Sequence, residues 1–167
     1  LPGGTETTFH DVGRIVALWV SAFEILVHPG DGGTANRDKV FGLIEQTPWA
    51  DSGSFGPDHD TGGKTKVKRS VASWLYQHLY DCRNDFLHGN PVGQKDLLVE
   101  ASERLLSNYA APLYRIALTA FLPLKFSERA PSLEDLDVFG AYKSRRISFK
   151  APQENVELAL LTALQPA

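Results

Sequence analysis

DCRNDFLHGNP, residues 81–91, places Arg83, Asn84, Asp85 and His88 within six residues, directly ahead of a Gly89-Asn90-Pro91 stop. The apolar residues leading into it decide what the stretch belongs to. Val67, Val71, Trp74, Leu75, His78, Cys82 and Phe86 recur at three- and four-residue steps, which predicts a helix from about Lys64 to His88. Gly89 suits a left-handed helix end, and Pro91 cannot continue the helix. The four polar residues therefore crowd the last turns of a long helix. One account is a solvated helix terminus; the other is a chemical site.

Working outward, Val12, Ile15, Val16, Trp19, Val20, Phe23, Leu26 and Val27 predict a first helix from about Phe9 to His28, closed by Pro29 and a Gly-rich run. Asn36 suits the N-cap of a second helix through about Gln46, with Val40, Phe41 and Ile44 inward. Thr47 to Gly63 lacks periodicity and reads as a long loop outside the bundle, a length that points to function or mobility. Leu97, Leu98, Ala101, Leu105, Leu106, Tyr109, Leu113, Ile116, Ala117 and Ala120 predict a fourth helix from about Gln94 to Phe121, kinked or broken at Pro112. Beyond Pro123 the pattern weakens to a short helix at Ser132–Phe139, a strand at Arg145–Phe149 and a last helix at Asn155–Leu164. The expected fold class is all-α, a helical bundle of four main helices over residues 1–125. A short irregular C-terminal extension, residues 126–167, should pack on it within a single domain.

The bulk numbers agree with one folded domain: 167 residues, 43% hydrophobic and 22% charged. A net charge of -3 provides no global field for nucleic acid, so any RNA contact must rest on a local patch. The single Cys82 excludes an internal disulfide and fits a reducing, cytoplasmic setting. No apolar run is long enough to span a bilayer, so no membrane partner is expected. A Leu-Pro-Gly-Gly start and the absence of Met read as a piece of a longer protein, with further domains as possible partners.

On a helix, Asn84 and His88 share a face, whereas Arg83 and His88 start roughly 140° apart. Tyr76, Tyr80, Arg83 and Leu87 form a second stripe at spacings of four, three and four, suited to another helix of the bundle or to a second copy of the chain. The chemistry these residues suit is phosphodiester cleavage. His exchanges a proton near neutral pH, and Arg grips a phosphate with two parallel hydrogen bonds. RNA supplies its own 2′-hydroxyl nucleophile, so neither metal nor cofactor is called for. Glu24, polar within the apolar stripe of the first helix, either pairs with Arg83 or His88 or faces water at the stripe's edge.

Arg83-Asn84-Asp85-Phe86-Leu87-His88 resembles the R-x4-6-H motif of the HEPN superfamily, and the longer string Leu79 to Asn90 is similar to its Apea-like branch. Trp19, Phe23, Glu24 and Leu26 resemble that branch's opening helix, so the likeness runs over about residues 9–121. The resemblance implies a HEPN-like helical bundle acting as a metal-independent endoribonuclease. It implies a homodimer with two motifs meeting at the interface, in a bacterial defence or toxin–antitoxin setting that can include an antitoxin. Carried over by position, Arg83 would orient the scissile phosphate, His88 would be the acid–base residue, and Asn84 would hold the phosphate or the imidazole. Asp85 is a supporting residue or a solvated acid, and Tyr76, Tyr80 and Leu87 are the expected dimer contacts. The alternative is a non-catalytic HEPN module that dimerises, senses a ligand or binds a partner for a larger protein.

Other signals are weaker. Gly62-Gly63-Lys64-Thr65 lacks the earlier glycine of a phosphate-binding loop, since residue 58 is Asp58. Asp58-His59-Asp60 lacks the spacing of a zinc or calcium module and reads as a loop tip. His78 reads as a core histidine and Cys82 as inert packing. Lys64, Lys66, Lys68 and Arg69 would open the third helix as a basic run, against the helix dipole; it reads as a solvated face or as a contact for RNA backbone about five turns from His88.

Overall fold

The structure, a computed structural model, describes residues 9–30, 33–62, 66–122 and 150–166. Five α-helices dominate the described residues: α1 (Phe9–Leu26), α2 (Arg37–Ile44), α3 (Val71–His88), α4 (Ala110–Phe121) and α5 (Lys150–Leu161). Two antiparallel hairpins interrupt them, β1 (His59–Thr61) with β2 (Val67–Arg69), and β3 (Leu98–Val99) with β4 (Arg104–Leu105). The fold is mostly helical, and α1 packs on both α3 and α4 while α2 closes against the same pair.

The core follows the predicted stripes. Val16, Val20 and Phe23 of α1 meet Leu75, Tyr76 and Leu79 of α3 and Leu113, Ile116 and Ala117 of α4, all wholly buried. The Phe23 ring lies 5.0 Å from that of Tyr76 and 5.4 Å from that of Tyr114, so one aromatic cluster ties the three helices together. Val40, Phe41 and Ile44 fill the α2 side. Asn36 does cap α2, its side-chain oxygen accepting from the Lys39 N–H at 3.0 Å. Ile15 departs from the predicted stripe; it is exposed, and buried Gly13 takes its place in the contact with α3.

Gly13 is there because Phe86 needs the room. A Cβ at residue 13 would sit 2.6 Å from the Phe86 ring, closer than packed carbons tolerate. Phe86, which also leans on Phe9 at 5.2 Å, anchors the last turns of α3 against α1. Gly13→Ala is therefore expected to destabilise by about 1 kcal/mol, the overpacking cost outweighing the gain in helix propensity. A denaturant midpoint at or above that of the wild type would contradict this packing.

Two helices begin later than the periodicity implies. The third starts at Val71, not near Lys64, because Ser70 is its N-cap and accepts from the Ser73 N–H at 3.3 Å. The Glu45 carboxylate completes that terminus by accepting from Ser70 N–H at 3.1 Å and Ser70 Oγ at 2.8 Å, and from Ser73 Oγ. Lys66, Lys68 and Arg69 consequently lie before or on β2 and not within the helix. Lys66 and Lys68 pair with Asp60 across the hairpin.

The fourth helix spans only Ala110–Phe121. A 3₁₀ turn at Gln94–Leu97, the β3–β4 hairpin and a second 3₁₀ turn at Leu106–Tyr109 replace its first four turns. Glu103 takes φ 51° so that the hairpin can close, with Ser102 N–H and Glu103 N–H both donating to Val99 O at 3.1 and 2.8 Å. Pro112 neither kinks nor breaks α4, because it lies in the first turn, where no intrahelical N–H is required.

The described part of the expected loop, Thr47–Gly62, is not outlying. Thr47, Phe55 and Thr61 are buried, and Trp49 stacks on Phe55 at 4.0 Å. The final helix begins at Lys150, earlier than expected, and α5 buries Val156 and Leu160 against α4 and α3. The helix expected at Ser132–Phe139 and the strand expected at Arg145–Phe149 lie outside the described residues. Among the described residues, no helix is long and apolar enough to cross a membrane.

Candidate functional site

The end of α3 is fixed by its backbone. Gly89 adopts φ 69°, which lets the Gly89 and Asn90 N–H groups both donate to Asp85 O. Asn90 Nδ2 then donates to Asp85 Oδ1 at 2.8 Å. Asp85 thus shapes the helix terminus and is not simply a solvated acid.

Arg83 turns towards α1. Its Nη2 lies 3.6 Å from Glu24 Oε2, and its Nη1 donates to Asn84 Oδ1 at 3.0 Å. The two charged side chains are similarly half-buried, with 22% of Arg83 and 23% of Glu24 exposed. Of the two roles open to Glu24, the structure shows the ion pair with Arg83. Arg83 Nε is buried with no hydrogen-bond partner. His88, in the final turn, is exposed and makes no hydrogen bond or ion pair among the described residues. No bond joins Arg83 to His88, as their angular separation on the helix requires.

The expected dimer stripe divides. Tyr76 is wholly buried within the chain, its ring 5.0 Å from Phe23 and 5.8 Å from Phe41, so it has no surface for a second copy. That assignment is corrected: Tyr76 belongs to the core, because the fourth-residue spacing that aligns it with Tyr80 also aims it between α1 and α2. Tyr80 is half-buried, and Leu87 is 60% exposed.

A cleft of about 660 Å³ opens on the opposite side of α3, lined by His78, Asp81, Cys82 and Asp85 and, from the segment that follows, by Lys95, Asp96, Glu100 and Glu103 with the apolar Leu98 and Val99. Counting about 100° per residue, its α3 residues lie roughly opposite the Tyr76–Arg83 stripe. Asp81, Asp85, Asp96, Glu100 and Glu103 outnumber Lys95 at its walls, so it repels phosphate. This cleft and the Arg83–Glu24 pair are therefore different places. Burial pushes the Cys82 thiol up to about 11, with Asp85 and Asp96 adding to the shift, so it stays protonated and inert.

His78 is not the core histidine expected. It is exposed on the cleft side, edge-on to Trp74 with ring centroids 4.6 Å apart. Partial burial against that wall lowers its pKa below the ordinary imidazole value, and Asp81 and Glu100 oppose the shift. The unfolded chain therefore takes up the proton first as pH falls, so the contribution is intact above about pH 6.5 and is lost as pH falls through the folded pKa. His78→Gln is expected to flatten the acid side of a melting-temperature profile measured from neutral to mildly acidic pH. An unchanged slope would remove His78 as its source.

The remaining sequence signals resolve simply. Among the described residues, no group of three or more His, Cys, Asp or Glu side chains is placed to hold a metal ion. His59 rests on Trp74 at 5.4 Å, and Asp60 is held by the two lysines. Gly62, at φ 98°, starts the β1–β2 turn, so β1 folds back into a hairpin and does not feed a helix as a phosphate-binding loop does; residues 63–65 lie outside the described residues.

Sequence reasoning missed Arg37, and it placed Arg69 only in a basic run; their guanidinium carbons lie 5.6 and 4.5 Å from the Phe41 ring centre. It also missed Glu157, buried on α5. The meeting of the two arginines at Phe41 depends on packing between elements. The chain matches no known protein family, no curated protein and no solved structure.

Proposed function

We propose that the C-terminal end of α3 is a metal-independent RNA-cleaving site of the kind that the HEPN resemblance implies. One observation carries the reading: the last two turns of one helix hold a guanidinium positioned by Glu24 and Asn84 and an exposed imidazole that makes no side-chain bond among the described residues. In this reading the imidazole takes the proton from a 2′-hydroxyl, whose oxygen attacks the adjacent phosphorus. The bond to the 5′-oxygen breaks, that oxygen takes its proton from the imidazolium, and a 2′,3′-cyclic phosphate remains. Arg83 neutralises the charge gathering on the phosphoryl oxygens. Asn84 and Glu24 are positioning residues that act through Arg83.

Arg83 and His88 of one chain face different ways, so the reading calls for two copies whose helix ends meet about a two-fold axis. Leu87, exposed next to Arg83, is the apolar residue left for that contact. A bacterial defence or toxin–antitoxin role, with an antitoxin or further domains as partners, belongs to the same reading. One observation favours the competing class. Glu24 already provides a carboxylate for Arg83, as suits a non-catalytic module that dimerises or senses a ligand.

The deciding experiment incubates labelled RNA with the purified protein in excess chelator. Cleavage that leaves 2′,3′-cyclic phosphate ends is the expected result. Intact RNA in the presence of a dimeric wild type favours the non-catalytic module.

A further inference from the structure

Three guanidinium groups occupy one flank of the bundle, interleaved with aromatic rings. Arg69 on β2 and Arg37 at the start of α2 both rest on Phe41, and Arg37 Cζ also lies 5.8 Å from the Tyr80 ring centre. Tyr80 precedes Arg83 by three residues on α3, so the two are neighbours on one helix face. The wholly buried Tyr76 beneath them has a hydroxyl with no hydrogen-bond partner. Burial above all, and then Glu24 and Tyr80, oppose its ionisation while Arg83 and Arg37 favour it, so all four groups are within electrostatic reach of that oxygen.

The positive charge here is incompletely balanced. Arg83 has Glu24 at 3.6 Å, and among the described residues Arg37 pairs only with Asp38 at 3.8 Å, a carboxylate that is 74% exposed and well hydrated. Arg69 makes no ion pair among the described residues, and its buried Nε lacks a partner. The nearby Glu45 carboxylate is occupied by the start of α3. Arg37 is 31% exposed and Arg83 22%, so an anion can reach both.

We infer that Arg37, with Arg69 beyond it, extends the Arg83 site into a track for the sugar–phosphate backbone of single-stranded RNA. This rests on the ribonuclease reading of Arg83 but concerns binding, not the proton transfer at His88. A phosphodiester suits the track better than a protein carboxylate. Glu24 already provides the carboxylate, whereas successive phosphates can each engage a separate planar guanidinium. Tyr80, the one partly exposed ring among the three named, lies beside Arg37 where an unpaired base could stack. With the whole chain at -3, the attraction is local and salt-sensitive.

The test measures binding of a fluorescent 2′-O-methyl RNA oligonucleotide, which lacks the attacking hydroxyl and so separates binding from cleavage. Wild type, Arg37→Ala, Arg37→Gln and Glu24→Gln are titrated at about 50 and 200 mM salt, with thermal melts alongside. Arg37→Ala is expected to weaken binding about tenfold and to lower the logarithmic salt slope by about 0.7. Arg37→Gln keeps a stem over Phe41, so it reports the lost charge even where the alanine variant melts early. Glu24→Gln frees Arg83 and is expected to bind more tightly than wild type.

Wild-type affinity and salt slope in a folded Arg37→Gln overturn the inference, as does a wild type that fails to bind at the lower salt. Arg37-dependent binding without any RNA cleavage upholds the track and removes the ribonuclease reading. His88-dependent cleavage with binding indifferent to Arg37 does the reverse.

Discussion

His88→Ala is expected to lower the rate of RNA cleavage by about 10²–10⁴-fold while RNA binding survives, because it removes a proton-transfer group and leaves the cationic contacts in place. The substitution is structurally mild. The His88 side chain is exposed and makes no bond among the described residues, and the helix end beneath it is held by Gly89, Asn90 and Asp85 without help from the imidazole. Arg83→Lys should also be impaired despite keeping its charge. The ammonium cannot reproduce the planar grip, nor satisfy Asn84 and Glu24 together in the same geometry. Because one chain does not direct both side chains at one phosphate, the rate should rise more steeply than linearly with protein concentration. Mixing Arg83→Ala with His88→Ala should restore part of the activity through sites that borrow one residue from each copy. Equal cleavage by wild type and His88→Ala would discard the assignment.

Glu157→Ala is expected to destabilise the fold by about 2–4 kcal/mol, and to lower Tm by about 5–10 °C at this chain length. Glu157 is 2% exposed. Its Oε1 accepts from Ala50 N–H at 2.8 Å and from Gln153 Nε2 at 2.6 Å, and its Oε2 accepts from Asp51 N–H at 3.0 Å. The carboxylate therefore ties α5 to the segment after α2, more than 100 residues earlier in the chain. Truncation leaves the buried Gln153 amide without its acceptor and releases the two backbone donors to water. Glu157→Gln keeps one acceptor oxygen and should lose less. Calorimetric scans of the three proteins decide the matter, and an Ala variant that melts with the wild type would show that the clamp contributes nothing.

Periodicity alone located the helices whose apolar faces are continuous. Phe23, Leu75, Leu79, Leu113 and Ile116 are buried where three- and four-residue spacing puts them, since a helix that hides one stripe must carry it at that period. The helix ends with strong local chemistry were equally legible, as Asn36 and Gly89 show. The same spacing misled at Leu97, Leu98, Leu105 and Leu106. There a tight hairpin, closed through Glu103, delivers Leu97, Val99 and Leu106 to the core without a helix. Apolar spacing reports which residues are buried more reliably than the backbone path that buries them.

The candidate site divides along the same line. Arg83, Asn84, Asp85 and His88 are adjacent in the chain, so their gathering at one helix end was set by sequence once the helix and its stop were recognised. What surrounds them was not. The turn of Arg83 towards Glu24, the withdrawal of Tyr76 into the core and the meeting of Arg37 and Arg69 at Phe41 all join residues from different elements. Local sequence sets backbone conformation through short-range sterics and hydrogen bonding, whereas which charges become neighbours depends on how whole helices pack. For this protein, sequence by itself determined a helical chain with a polar cluster at the end of its third helix; only the tertiary structure decided which groups that cluster meets.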